Sequence, residues 1–184
     1  MRKLILQMQV SVDGYVGRAG DGPSWQVWDW GPECPWDGPL KERFNAVFRG
    51  IDTILLSRKI IEGGYLDHWS QFAREYRDNS DFAFTQRIVD ARKIVFSKTL
   101  QTTKWPGTEL AGQSLVKEVD ALKEEPGRNL ISFGGAGFAS ALGSAAGSTA
   151  CTALWQPDDR LDMFFRRHCS ASMPPGVTLE QCAM

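Results

Sequence analysis

Arg128-Asn-Leu-Ile-Ser-Phe-Gly-Gly-Ala-Gly-Phe-Ala-Ser-Ala-Leu142 reads as a short strand, a glycine-rich turn and the start of a helix in immediate succession. Leu130, Ile131 and Phe133 supply a buried strand, and Gly134, Gly135 and Gly137 let the backbone bend tightly and approach a ligand with no Cβ in the way. Ala136, Ala139, Ser140 and Ala141 are small and open a helix whose first N–H groups have no partner inside it. Those amides and the helix dipole favour a phosphate, and a nucleotide pyrophosphate is the natural occupant. The same residues also suit a plain connection that lets strand and helix pack closely. Gly135-x-Gly137-x-x-Ser140 comes too late in the chain to open the first βαβ unit of a doubly wound dinucleotide-binding sheet.

Outward from this stretch the chain alternates strands and helices. Leu4 to Val12 is a first strand, ending in Ser11-Val-Asp-Gly-Tyr15, where Asp13-Gly14 signals a turn. Residues 17–39, rich in Gly, Pro and Trp, form a long loop, and a loop of that size in a compact domain is functional or disordered. Trp25, Trp28, Trp30 and Trp36 argue against disorder. Leu40, Phe44, Val47 and Phe48 recur at helical spacing up to Arg49. A buried strand follows at Asp52 to Leu56, a helix over Tyr76 to Asp90, a strand at Lys93 to Phe96, and a helix from Leu115 to Glu125 closed by Pro126-Gly127. After Leu142 a small-residue helix runs to about Ala146, and Thr149 to Gln156 and Gly176 to Cys182 are candidate strands. The pattern predicts one α/β domain.

Composition narrows the function. A length of 184 residues suits a single domain with a real core, and a formal charge of −1 gives no electrostatic case for nucleic acid or an anionic membrane. No apolar run approaches the ~20 residues that span a bilayer, and Met1-Arg-Lys-Leu-Ile-Leu-Gln-Met reads as a first strand, not a signal peptide. Cys34, Cys151, Cys169 and Cys182 show no C-x-x-C pattern, and His68 and His168 are the only histidines, which argues against a zinc site and for free thiols in the cytoplasm.

Four motifs now stand in order: Ser11-Val-Asp-Gly-Tyr15; Leu55-Leu-Ser-Arg-Lys-Ile-Ile-Glu-Gly63; Val95-Phe-Ser-Lys-Thr-Leu100; and, after Trp105, Leu122-Lys-Glu-Glu-Pro-Gly127 leading into Phe133-Gly-Gly135. From residue 3 to about residue 143 this order resembles the dihydrofolate-reductase-like reductases. The branch is the one sharing its fold with the C-terminal (RibD C-terminal) domain of the bifunctional riboflavin-biosynthesis deaminase-reductase. The resemblance implies a single dihydrofolate-reductase-like domain over residues 1–184, with a central mixed, mostly parallel sheet flanked by helices and an atypical stretch at residues 144–184.

It also implies an oxidoreductase that uses NADPH to reduce a small nitrogen heterocycle. The substrate would be dihydrofolate or another pterin, or the pyrimidine of riboflavin biosynthesis, so the enzyme would be of the dihydrofolate reductase or phosphoribosylamino-uracil reductase type. The cofactor carries the hydride chemistry, and the protein holds it against the substrate. Arg58 and Lys59 follow a strand and open a helical turn, where a guanidinium can clamp a phosphate and a lysine can add a point charge. Ser97 and Lys98 repeat that arrangement, as a site for the ribose 2′-phosphate would. Ser57, Gly134, Gly135, Ala136 and Gly137 complete the cofactor-binding set. The family usually has glycine where this chain has Ser57. Solvated residues at strand ends are the alternative reading of all four polar positions.

On the substrate side the resemblance points to Gln9, Ser11, Asp13, Gly14, Tyr15 and Trp30, with the other loop tryptophans able to stack on a flat ring or simply to pin the loop. A carboxylate bonded to a ring amidine eases protonation, and Asp29 and Asp37 are the catalytic candidates. Asp13 reads as a turn cap, His68 as a packing partner of Trp69, and Asp78 to Asp81 as a solvated helix face. No His-x-Glu and no Cys-x-x-Cys occurs, so these residues carry no deaminase.

Residues 144–184 lack the acidic run of the relatives, and a divergent subfamily and a shifted reading frame near residue 143 both account for that. Relatives pair through the sheet edge this segment helps form, so a homodimer is the assembly the resemblance allows. A non-catalytic or defective nucleotide-binding member of the same fold is the alternative to the reductase.

Overall fold

The structure is a computed structural model and describes residues 1–10, 38–133, 135–145, 149–155 and 177–181. Their strands are β1 (Leu4–Val10), β2 (Ile51–Ser57), β3 (Arg92–Phe96), β4 (Thr108–Leu110), β5 (Asn129–Phe133), β6 (Thr149–Trp155) and β7 (Val177–Gln181). They form one sheet in the order β4-β3-β2-β5-β1-β6-β7, and every pairing among them is parallel. The α/β class and the flanking helices agree with the sequence reading. The antiparallel member that a mixed sheet implies is not among the described strands.

Strands covered on both faces read as near-continuous apolar runs, and Ile54-Leu-Leu56 and Ile94-Val95 are buried throughout. Side chains alternate across the sheet. Leu4, Leu6, Leu55, Ile94 and Leu130 point to the face covered by helices α5 (Leu115–Glu124) and α6 (Ala136–Ala145), where Val119, Leu122 and Leu142 meet them. Ile54, Leu56, Val95 and Ile131 point to the other face. That face is covered by α1 (Gly38–Arg49), α3 (Tyr65–Glu75) and α4 (Ala83–Asp90), and its core is aromatic: Phe44, Phe48, Trp69, Phe82 and Phe84. The short helix α2 (Arg58–Glu62) runs straight on from β2.

One expected helix is broken. The helix over Tyr76 to Asp90 is instead the end of α3, a turn, a single 3-10 turn at Ser80–Phe82, and α4. Asp78-Asn79-Ser80-Asp81 offers side chains that compete with helical backbone bonds. Asn79 uses its carbonyl to accept the Asp81 N–H at 3.0 Å. Buried Asn45 of α1 fixes the break from the other side, donating to the Ser80 and Asp81 carbonyls at 3.2 and 2.9 Å and accepting from the Phe84 N–H at 2.8 Å. The Asp78–Asp81 residues are therefore exposed on a turn and not on a helix face. Helix α3, absent from the sequence reading, buries Tyr65, Trp69 and Ala73 at four-residue spacing.

At the amino-terminal end of the sheet a charged lattice holds the strands level. Arg2, 6% exposed, donates to the Asp52 carboxylate, to the Arg128 carbonyl, to the Thr53 hydroxyl at 2.7 Å and to the Leu122 carbonyl at 3.3 Å. Gly127 passes so close that a Cβ there would lie 2.7 Å from Asp52 Oδ2, and its φ of +150° also favours glycine. Arg92 grips Glu109 with two bonds of 2.8 and 2.7 Å and reaches Glu125 at 2.8 Å.

Candidate active site

Parallel strands in register end level, and three ends meet here. Ser57 of β2 lies beside Phe96 of β3, Leu55 of β2 beside Ser132 of β5, and Phe133 of β5 beside Gln7 of β1. Ligands of parallel α/β sheets bind outside such carboxyl ends, where the strand order reverses. The reversal is at β5, a late strand inserted between β1 and β2.

A groove of about 540 Å³ opens at these ends. Ser57, Arg58 and Lys59 form one wall, Ser97, Lys98 and Thr99 a second, and Gly135 and Gly137 the third. Cofactor-binding residues expected from three separate motifs thus line one cleft. Ile60, Phe96 and Phe138 supply its apolar lining, and the Phe96 and Phe138 rings lie 5.5 Å apart. The sequence reading missed these three.

The glycine turn behaves as a cradle. Gly135 has φ +76°, a left-handed conformation that costs other residues roughly 1–2 kcal/mol. Its carbonyl accepts the first helical bonds of α6, from Phe138 and Ala139 at 2.9 Å each. The Ala136 and Gly137 amides precede those donors and, as the first amides of a helix, have no intrahelical acceptor. A Cβ on Gly137 would meet nothing within 4 Å, so the protein's own packing does not require glycine there. The space it keeps open belongs to the groove.

The cations are arranged for an anion. Arg58 Nε stands 3.7 Å from Glu62 Oε2, an exposed pair one helical turn apart that a ligand displaces at small cost. Lys59 and Lys98 are exposed, and neither has an ion-pair partner among the described residues. Ser97, in the groove wall, also shapes the turn on which it stands. Its Oγ accepts the Thr99 and Leu100 N–H groups at 3.2 and 3.0 Å, folding the turn that presents Lys98. Ser57 has φ −79° and ψ 155°, ordinary extended backbone, so a non-glycine residue fits without strain.

A second cavity, about 570 Å³, lies by the amino-terminal ends of β3 and β4 and includes Asp67, Asp90, Arg92 and Trp105 in its lining. Arg92 is already neutralised there by Glu109 and Glu125. Trp105 packs against the aromatic core and carries the Lys104 ammonium 5.2 Å from its ring. His68 packs edge-on against Trp69 at 4.9 Å, as expected, and burial lowers its pKa, so it is a neutral packing group.

Other expected positions lie outside the described residues: Ser11, Asp13, Gly14, Tyr15, Asp29, Trp30, Asp37 and Gly134. Gln9 is near the carboxyl end of β1, which, among the described residues, contributes none to the groove's lining, and Ala136 opens α6.

The family model for the RibD C-terminal domain matches residues 2–146. The chain belongs to that family. The match ends one residue past α6, so it takes in every wall of the groove. A relative within reach is the "Uncharacterized protein YyaP" of Bacillus subtilis (strain 168), 29% identical over 136 residues, which are 73% of this chain and 64% of that protein. The chain therefore spans less than two thirds of that relative's length. As a RibD C-terminal domain, the chain has the dihydrofolate-reductase-like fold of a family of reductases. Among the described residues no helix is long and apolar enough to cross a membrane.

Proposed function

We propose that this chain is an NADPH-dependent reductase of a small nitrogen heterocycle, folded as one cytoplasmic domain and paired as a homodimer. One observation carries the reading: a single groove at the carboxyl ends of β2, β3 and β5 brings together Arg58, Lys59, Lys98 and the free amides of the glycine turn. A dinucleotide carrying an extra phosphate needs such a set, one anion for the turn and another for the paired cations. Gly135 and Gly137 leave the space that a side chain would fill. When bound, NADPH supplies the hydride. The protein's part is to hold it: amides of the turn on the pyrophosphate, Arg58, Lys59 and Lys98 on the 2′-phosphate, Ile60, Phe96 and Phe138 against its apolar surface. Asp29 or Asp37 would hold the proton for the substrate ring.

The test is a fluorescence titration of the chain, which has seven tryptophans, with NADPH and with NADH. NADPH is expected to bind more tightly, and pterins or aminouracils are expected to oxidise it. Equal affinities would remove the 2′-phosphate assignment. NADPH binding without oxidation by any heterocycle would favour the binding-only member of the family.

A further inference from the structure

The groove wall formed by Ser97, Lys98 and Thr99 has more protons to give than acceptors to take them. Ser97 Oγ accepts the Thr99 N–H at 3.2 Å and the Leu100 N–H at 3.0 Å. A hydroxyl oxygen has two lone pairs, and these two bonds fill both. The Thr99 hydroxyl lies 3.4 Å from the same oxygen, and on distance alone either atom could be the donor. The lone pairs remove that choice. Ser97 can only give, so any bond between the two hydroxyls runs from Ser97 to Thr99. Thr99 then has no acceptor for its own proton among the described residues.

The rest of the wall is equally one-sided. The Thr99 and Leu100 amides are already spent on Ser97. The Lys98 ammonium is exposed, carries three donors and has no lone pair. Thr99 is exposed and lines the groove, so solvent takes its proton until a better acceptor arrives. A phosphate oxygen is a better acceptor, because a hydrogen bond to an ionised group is roughly twice as strong as a neutral one. A neutral ribose hydroxyl offers no such gain over water.

We propose that Thr99 is a specificity residue of the groove, giving its hydroxyl proton to the ribose 2′-phosphate beside the Lys98 ammonium. Ser97 is the positioning residue: it fixes the turn and, with its lone pairs filled, turns the Thr99 proton outward. The proposal rests on the reductase reading and adds to its cofactor set an uncharged residue. Discrimination between NADPH and NADH is divided between the cations and one hydroxyl, and the share of the hydroxyl can be separated.

Calorimetric titration of the full chain with NADP⁺ and with NAD⁺ separates it. Thr99→Val keeps the size of the side chain and the main-chain N–H that Ser97 holds, at an exposed position, so the melting temperature should not move. Its affinity for NADP⁺ is expected to fall ~10-fold and its affinity for NAD⁺ to stay unchanged, while Thr99→Ser, which keeps the hydroxyl, remains within ~3-fold of the unmodified chain for both. Ser97→Ala should also weaken NADP⁺, and it should speed hydrogen exchange at the Thr99 and Leu100 amides, which Thr99→Val leaves protected. Unchanged NADP⁺ affinity in Thr99→Val overturns the proposal, and the reductase reading stands if the unmodified chain still prefers NADP⁺. Equal losses for the two nucleotides overturn it as well, since the hydroxyl then serves their shared part. So does a Thr99→Ser variant as weak as Thr99→Val, which would assign the effect to the methyl group. An unmodified chain with equal affinity for NADP⁺ and NAD⁺ removes the 2′-phosphate assignment and this proposal together.

Discussion

Arg2 donates from its guanidinium to the Asp52 carboxylate, linking the chain two residues ahead of β1 to the second residue of β2 across the strand that lies between them. The same carboxylate accepts the Arg128 N–H at 2.7 Å, on the approach to that middle strand. Removing the guanidinium as Arg2→Met takes a donor from the Arg128 and Leu122 carbonyls and the charged partner from Asp52. Equilibrium unfolding in urea should show a loss of about 2–3 kcal/mol.

Acid should weaken the same junction. Burial pushes the Asp52 carboxyl up, but the Arg128 N–H, the Thr53 hydroxyl and the Arg2 and Arg128 charges outweigh it and hold the pKa below its ordinary value. A carboxyl with a depressed folded pKa contributes stability that is present above the unfolded value of about 3.9 and is lost as pH falls through the folded value. Asp52→Asn should therefore be less stable than the unmodified chain at neutral pH. The gap should close below about pH 4 when both are melted across a pH series. A gap that persists at low pH would assign the effect to packing.

Asn45 is the peg that breaks the helix expected over Tyr76 to Asp90. Asn45→Ala deprives the Ser80 and Asp81 carbonyls and the buried Phe84 N–H of their partner. A loss of about 2–3 kcal/mol is expected, and hydrogen exchange at the Phe84 amide should accelerate with it. Unchanged protection at Phe84 would show that water replaces the side chain.

The two glycines of the turn should separate stability from binding. Gly135→Ala should cost roughly 1–2 kcal/mol of stability, because its φ of +76° is strained for any side chain. Gly137 carries no such conformation and has open space around it. Gly137→Val should leave the melting temperature nearly unchanged and abolish NADPH binding, since the side chain fills the cradle. Normal NADPH binding by Gly137→Val would remove the turn from the pyrophosphate site.

Arg58→Ala combined with Lys98→Ala should weaken NADPH far more than NADH. Charge-assisted contacts of ~1.5–3 kcal/mol each make the combined loss roughly 100-fold or more if the two add. The Arg58–Glu62 pair is exposed, so little stability should go with it. Equal losses for both cofactors would move these cations to the pyrophosphate.

If Asp29 or Asp37 holds the ring proton, turnover falls as pH rises and the acid loses that proton. Asparagine at the responsible position should slow turnover by ~100-fold or more and leave NADPH affinity intact. Single-turnover rates for both variants across a pH series decide it. If both keep full activity, the acid is another group or a water.

The grouping of the groove's polar residues was legible because each of those positions follows an apolar strand run. In a parallel sheet, residues just past such runs gather at one edge whatever their distance in sequence. Arg58, Lys98 and Gly135 meet for that reason. The turn-folding bonds of Ser97 were not legible, since a hydroxyl that folds a turn looks in sequence like any other. Helix α3 carried a readable signal in Tyr65, Trp69 and Ala73, masked by the aromatic density around it. The apolar lining of Ile60, Phe96 and Phe138 was missed because its members look like ordinary core residues.

The insertion of β5 between β1 and β2 also orders events at the ribosome. Residues 4–10 and 51–57 are synthesised early, and β2 can pair with β3 once residues 92–96 emerge, yet β1 and β2 do not pair with each other and their facing edges wait for residues 129–133. Until that segment emerges, the nascent chain carries two open strand edges and a half-built aromatic layer, the kind of surface that chaperones recognise. Its arrival closes the sheet centre and, with the next few residues, delivers the glycine turn. Competence to bind nucleotide should therefore appear late and abruptly in translation, as one event with completion of the core.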